Sequence, residues 1–445
     1  MAMVSSVPPS EKKSAAMSVS GAAFLGIGAM VGAGIFALLG EAGAVAGAAV
    51  WLSFLVAGVV AGLLGYVVVK LGVRFPSSGG IIAYLVEGYG NGRLVGIASW
   101  LGFMSAIVIV CSMVSVSFGS YATSLFIGDD AGPAWDNVFT TAMILAVLAI
   151  NVVGSSIVDR AQSVIVIALL AVFVVFVAAT LPDVDWGLLA FDGYPAVSDI
   201  VSSVALTFFA YLGFSVITFA AGDLADPARG LPSAMYGSLG VTATLYVLVA
   251  LGVFGTLTVA EVIGYGETAI AEAARPVLGD VGFVMIAIAA MLATASSANA
   301  SLYASVGLTR MLAQVGQFPA LLGRETRRGA PMGLLVTAAV VLVVSNVVDL
   351  SAIASVGSAV ALCVFLLVAV AGYRRRADIG ANAAVVLAAV AVTAAVLVFF
   401  AVDTARNEPA TFVAILAIAA LAVVFNLVWA QPRPAPPAPV PTGST

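Results

Sequence analysis

Histidine is absent from the 445 residues, and only 9% of them are charged. The first absence removes the commonest metal ligand and the side chain that titrates near neutral pH. The second excludes a water-soluble surface, since an average soluble domain carries about 25% charged residues. Cysteine is nearly missing too. Cys111 and Cys363 lie in separate apolar runs, without ligand spacing or a disulfide framework, and read as small buried hydrophobes. Catalysis inside the apolar segments would need paired carboxylates or a His-containing cluster at mid-span. None is visible, so an enzyme is not expected, and neither is a cofactor or a nucleic-acid partner.

What is present is apolar length. The chain is 62% hydrophobic with a mean hydropathy of +1.17. Runs of about 20 apolar residues, each enough to cross a bilayer, recur from end to end. The opening, MAMVSSVPPSEKKSAAMS, has no short apolar core with a cleavage site and does not read as a signal peptide. Residues 1–16 are expected to form an N-terminal tail, and the proline-rich residues 431–445 a disordered one. Punctuation by Gly, Pro and charge predicts twelve spans between them. They lie near 17–42, 44–73, 94–126, 138–154, 160–181, 199–222, 233–257, 281–312, 331–348, 351–373, 380–402 and 409–430.

The charges test this partition. With the N-terminus inside, only Arg275 and Arg406 of the 17 Lys and Arg residues fall outside. Lys70, Arg74, Arg93, Arg324, Arg327 and Arg374–Arg376 all fall inside, whereas Asp129, Asp130, Asp183 and Asp185 fall outside. Basic residues set orientation, and one miscounted span would scramble the separation. The expectation is an all-α polytopic protein of the cell membrane with both termini cytoplasmic.

The first span contains GIGAMVGAGIF, Gly26 to Phe36. Each glycine costs a helix roughly 1 kcal/mol relative to alanine. Gly28 and Gly32 form a GxxxG pair, which permits close helix packing. The alternative is an unwound helix whose free backbone groups bind a polar ligand at mid-membrane. The sixth span, SSVALTFFAYLGFSVITFAAGDLADPARGLP, sets Gly213 among aromatic and polar residues and exits through Gly222, Asp223 and Pro227. Spans one and six correspond if five helices repeat as an inverted five, and matched breaks point to a binding site.

These segments carry a resemblance. GIGAMVGAGIF with GEAGAVAG, RFPSSGGIIAYL, FFAYLGF…DLADPARGLP, ETAIAEAARPVLG and TRMLAQVGQFP stand in an order similar to that of the amino acid–polyamine–organocation (APC) superfamily. The resemblance spans nearly all of 17–430. It implies a LeuT-type five-plus-five inverted repeat with helices 1 and 6 broken (repeats about 17–181 and 199–373), plus two C-terminal helices (about 380–430). It implies a secondary active amino acid transporter.

On that resemblance, the substrate carboxylate would meet backbone amides near Val31, Gly32, Ala33 and Gly34, where a half-helix N-terminus favours an anion. The ammonium would meet carbonyls near Phe208, Phe209 and Ala210, with Phe209 as a gate. Ile107 and Cys111 of span three would line the side-chain pocket, or simply pack. PSSGGIIAY, Pro76 to Tyr84, would be a re-entrant connection on the cytoplasmic side. Ser215 stands where many relatives hold an acidic residue, which favours a neutral substrate over a cationic amino acid or polyamine. A substrate-sensing receptor on a transporter body is the non-transporting alternative, and a channel would want a lined pore.

The coupling ion stays open between H+, Na+ and exchange. Ser296 and Ser297, with carbonyls of Gly28, Val31 and Ala293, would match the sodium site of related architectures, five oxygens suiting a hard cation. Serines in membrane helices also bond back to their own helix. The lysine that replaces the ion in some proton-coupled relatives is missing near Leu169, the only lysines being Lys12, Lys13 and Lys70. Glu41, Asp159 and Asp223 lie near span ends and read as solvated charges.

Overall fold

The computed structural model describes residues 17–77, 80–90, 92–128, 131–153, 158–327 and 329–429. The expected tails, Ser78 and Gly79 of the re-entrant connection, and Asp129 and Asp130 lie outside them, as do the side chains of Ala33, Asp159 and Asp223. Among the described residues the chain is helical, with two isolated β-bridges and no strand.

Ser18 caps α1 (Val19–Ala33) by accepting the amide of Gly21 at 3.0 Å. One residue later α2 (Ile35–Ala46) begins, and a tight turn at Gly47, φ 54°, leads into α3 (Val50–Arg74). The short α4 (Gly80–Tyr89) precedes α5 (Arg93–Phe103), which passes through a π-helical turn at Met104–Ile109 into α6 (Val110–Phe126). Then come α7 (Pro133–Val153) and α8 (Val158–Thr180). α9 (Val197–Ala210) gives way to a 3-10 helix, Leu212–Asp223. Asp226 caps the first amides of α10 (Pro227–Phe254), and Thr258 and Glu261 form a capping box on α11 (Val259–Tyr265). α12 (Ala269–Gln314) bends at Gly279, φ 65°, so its membrane-length part is the helix beyond that glycine. α13 (Met332–Val347), α14 (Leu350–Arg374), α15 (Ala383–Asn407) and α16 (Pro409–Trp429) complete the chain.

Among the described residues, ten helical stretches are long and apolar enough to cross a membrane, and two shorter apolar helices, Val19–Gly32 and Met332–Val347, accompany them. The partition differs from the expected one at the start. Ile35–Arg74 runs as one stretch of 40 residues, because the turn joining α2 to α3 is short and apolar.

Burial orders the helices. The apolar windows of α9 and α14 are each 78% buried, against 11% for α16, so α9 and α14 form the centre and α16 the rim. α1 packs on α10, α12 and the 3-10 segment, while α6 packs on α7 and α12. Polar ties join further pairs, α7 to α12 and α13, and α9 to α15. Asn151 donates to Asn299 at 2.8 Å, Thr141 to Asn346 at 3.2 Å, and Ser202 to Asp403 at 2.6 Å.

Candidate functional site

The two interrupted helices cross at their interruptions. A Cβ at Gly213 would collide with the backbone of Ala29 and Met30, so the 3-10 segment lies directly against the main chain of α1. A Cβ at Gly34 would strike the hydroxyl of Tyr246 and come within 2.7 Å of the Ala210 carbonyl. Only glycine leaves room for backbone to approach backbone at these two points.

Tyr246, on α10, is fully buried at this crossing. Its hydroxyl has one proton and two acceptors in range, the Met30 carbonyl at 2.7 Å and the Ala210 carbonyl at 3.2 Å. One phenol therefore serves carbonyls from both interrupted helices. Tyr246 is fixed in turn by rings, 5.1 Å from Tyr211 and 5.3 Å from Phe54, and Tyr211 donates to the Phe54 carbonyl at 2.9 Å.

Of the positions expected to meet a carboxylate, Val31 and Gly32 are buried within α1, which continues through Ala33, and the interruption is confined to Gly34. The orphan donors of a helix are the amides of its first turn, so those at this break begin at Ile35, just past the expected stretch. Gly32 faces α12 instead, where a Cβ would lie 2.8 Å from the Ala293 carbonyl and 3.0 Å from Cβ of Ser297. The structure thus brings Gly32, Ala293 and Ser297 together. Gly28 lies one turn below Gly32, and Ser296 is half-buried beside Ser297. Among the described residues no group of three or more His, Cys, Asp or Glu side chains gathers to hold a metal.

On α9, Phe208, Phe209 and Ala210 are all buried at the helix end. Phe208 and Phe214 both pack against Phe365, with ring centroids at 5.8 and 5.1 Å. Phe209 points at Gly357 of α14, where a Cβ would lie 2.7 Å from its ring and 2.7 Å from Ile109. Ile109 closes the π turn, and Ser105 in the same turn donates to the Gly357 carbonyl at 3.3 Å. Ile107 is buried within that turn, whereas Cys111 directs its thiol at the Ala298 carbonyl, 3.8 Å away, towards α12. Ser215 is half-buried and bonds back to the Leu212 carbonyl at 2.9 Å.

Tyr246, Gly357 and the π turn are absent from the residues singled out in the sequence. A tyrosine inside an apolar run is a usable sign, because a buried phenol needs a partner. Gly357 and the π turn carry none, as both depend on what packs opposite.

The family model for amino acid permeases matches residues 17–431. The chain belongs to the amino acid permease family. The inner membrane transport protein YbaT of Escherichia coli is 31% identical over 376 residues, covering 84% of this permease and 87% of YbaT. The methylthioribose transporter of Bacillus subtilis is 28% identical, covering 71% of each chain. The serine/threonine exchanger SteT of the same organism is 24% identical, covering 66% of this permease and 67% of SteT. These relatives are transporters rather than enzymes, and the apolar helices make the permease a multi-pass membrane protein.

Proposed function

We propose that this permease is a secondary active transporter of neutral amino acids, working by alternating access. The observation that carries the reading is the crossing of the two interrupted helices at Gly34, Ala210 and Gly213, with Tyr246 joining their carbonyls. Backbone donors at the start of α2 and carbonyls at the end of α9 offer a zwitterion both complements without a charged side chain in the bilayer. Ser215, in place of a carboxylate, favours neutral substrates over cationic amino acids or polyamines. The relative named for serine and threonine exchange supports that class, and the one named for methylthioribose keeps a polar non-amino-acid substrate as the second reading.

In this scheme twelve spans form two inverted repeats of five and a final pair, with both termini on the arginine-rich cytoplasmic face. Spans one, two, six and seven rock against three, four, eight and nine. Phe209 gates the substrate, and Gly28, Val31, Ala293, Ser296 and Ser297 are the candidate oxygens for sodium.

Uptake into proteoliposomes of neutral, cationic and acidic amino acids, polyamines and methylthioribose, under imposed sodium or proton gradients, tests the proposal. Gradient-driven accumulation of a neutral amino acid is expected. Binding without uptake would make the protein a sensor, and uptake restricted to cations or methylthioribose would overturn the substrate assignment.

A further inference from the structure

We infer that the arginine-rich face of this permease binds the phosphate headgroup of an anionic phospholipid between Lys70 and Arg74. A cavity of about 230 Å³ opens there, between the ends of α3 and α10 and the turn that precedes α15. Lys70 and Arg74 stand four residues apart, on one face of the last turns of α3. Each lies over a ring of its own helix end, Lys70 at 5.8 Å from Tyr66 and Arg74 at 5.7 Å from Phe75. No ion pair holds either cation among the described residues. The acid at the cavity, Asp378, is already bound to Arg375 at 3.1 Å. Ala228, in the first turn of α10, also lines the cavity, its amide taken by the capping carboxylate of Asp226 at 3.1 Å.

The remaining wall is apolar, with Val69, Val73, Pro232 and Ile379. A free anion would leave that surface unfilled, whereas the glycerol and acyl stem of a lipid would cover it. Tyr66, half-buried, and Tyr236, 44% exposed, stand one helical turn from Lys70 and Pro232 of the cavity wall. Tyrosines of this kind mark the headgroup level of a membrane, and basic residues there attract anionic lipid. The cavity also joins two bodies: α3 and α10 form one side, and the connection from α14 to α15 the other. Lipid binding here does not depend on the transport reading. Its effect on transport rate does, because a headgroup bridging the rocking helices α3 and α10 to the connection between α14 and α15 alters their motion.

Native mass spectrometry of the purified full-length protein, offered equal phosphatidylglycerol and phosphatidylethanolamine, tests the site. Wild type is expected to retain phosphatidylglycerol preferentially, and Lys70→Gln/Arg74→Gln to retain about thirtyfold less of it. Arg229→Gln removes a cation that is 92% exposed and outside the cavity wall, and should retain lipid as wild type does. So should the charge-keeping Lys70→Arg/Arg74→Lys. Equal retention of both lipids by wild type, or a matching loss in either control, overturns the inference. Displacement of the lipid by inorganic phosphate alone at millimolar concentration would overturn the lipid in favour of a soluble anion. A gradient-driven uptake assay in vesicles with and without phosphatidylglycerol then reports the transport effect separately, so failure of transport and failure of lipid binding remain distinguishable.

Discussion

At Gly34 the helix is interrupted for a single residue, whereas beyond Ala210 the chain runs as a 3-10 helix through Asp223 before α10 starts at Pro227. The first interruption borrows its stability, since the carbonyl it releases at Met30 is satisfied by Tyr246 from another helix. The second supplies its own. Ser215 bonds back to Leu212, and Thr218 bonds to Ser215 at 2.6 Å. Short 3-10 stretches have poorer hydrogen-bond geometry than α-helix, and hydroxyl groups placed every three residues offset that within the segment. One break is therefore a pivot held from outside, and the other is a length of altered helix held from within.

The largest expected effect comes from filling the crossing. Gly213→Leu and Gly34→Leu should each abolish uptake while the protein still inserts, and normal uptake by both would remove the site from the crossing. Alanine sharpens the contrast. At Gly213 the obstacle is fixed backbone of α1, but at Gly34 it includes the end of the Tyr246 side chain. Gly213→Ala should thus cost more uptake and stability than Gly34→Ala, overpacking being worth roughly 1–3 kcal/mol. The reverse order in uptake and thermal midpoint would contradict a pivot held from outside.

Next in size, Tyr246→Phe keeps the rings but removes the shared donor. Leaving a buried carbonyl unsatisfied costs about 1–3 kcal/mol, so unfolding in detergent should begin at lower temperature. An unchanged midpoint would mean that Met30 and Ala210 find other donors.

The smallest effect belongs to the helix on the far side of the first break. α2 leads to Gly40, where a Cβ would lie 2.6 Å from the Gly266 carbonyl, so the turn bearing Glu267 rests on the outer half of the first interrupted helix. Burial, with Glu41 and Asp136 nearby, raises the Glu267 carboxyl from 4.5 to about 7. The folded state then holds this proton more tightly than the unfolded chain, and its stability falls as pH rises from 4.5 towards 7. Thermal midpoints across that window should fall more steeply for wild type than for Glu267→Gln. Parallel profiles would remove Glu267 as the cause.

Most of the architecture was legible because bilayer physics writes it in long apolar runs, punctuated by Gly, Pro and Arg. The family was legible from five loose motifs in order. Glycines announced where the chain breaks, but not how far. α1 persists through Ala33 because its amides lose nothing by staying helical, and the break narrows to the residue facing Tyr246 and Ala210. Asp378 and the Lys70 cavity, and Gly357 opposite Phe209, depend on segments far apart in the chain. No local pattern encodes such meetings.

The π turn at Met104–Ile109 has a consequence for how this permease can change. A π turn holds one residue more than α-helix would, and one residue corresponds to about 100° of rotation. The part of the rod carrying Cys111 is thereby turned against the part carrying Ser99, while Ser105 and Ile109, four residues apart, share the face towards Gly357. Losing a single residue here would reset that angle and swing a different set of side chains towards α14. Insertion and deletion, and not substitution alone, are thus available for reshaping the surroundings of Phe209.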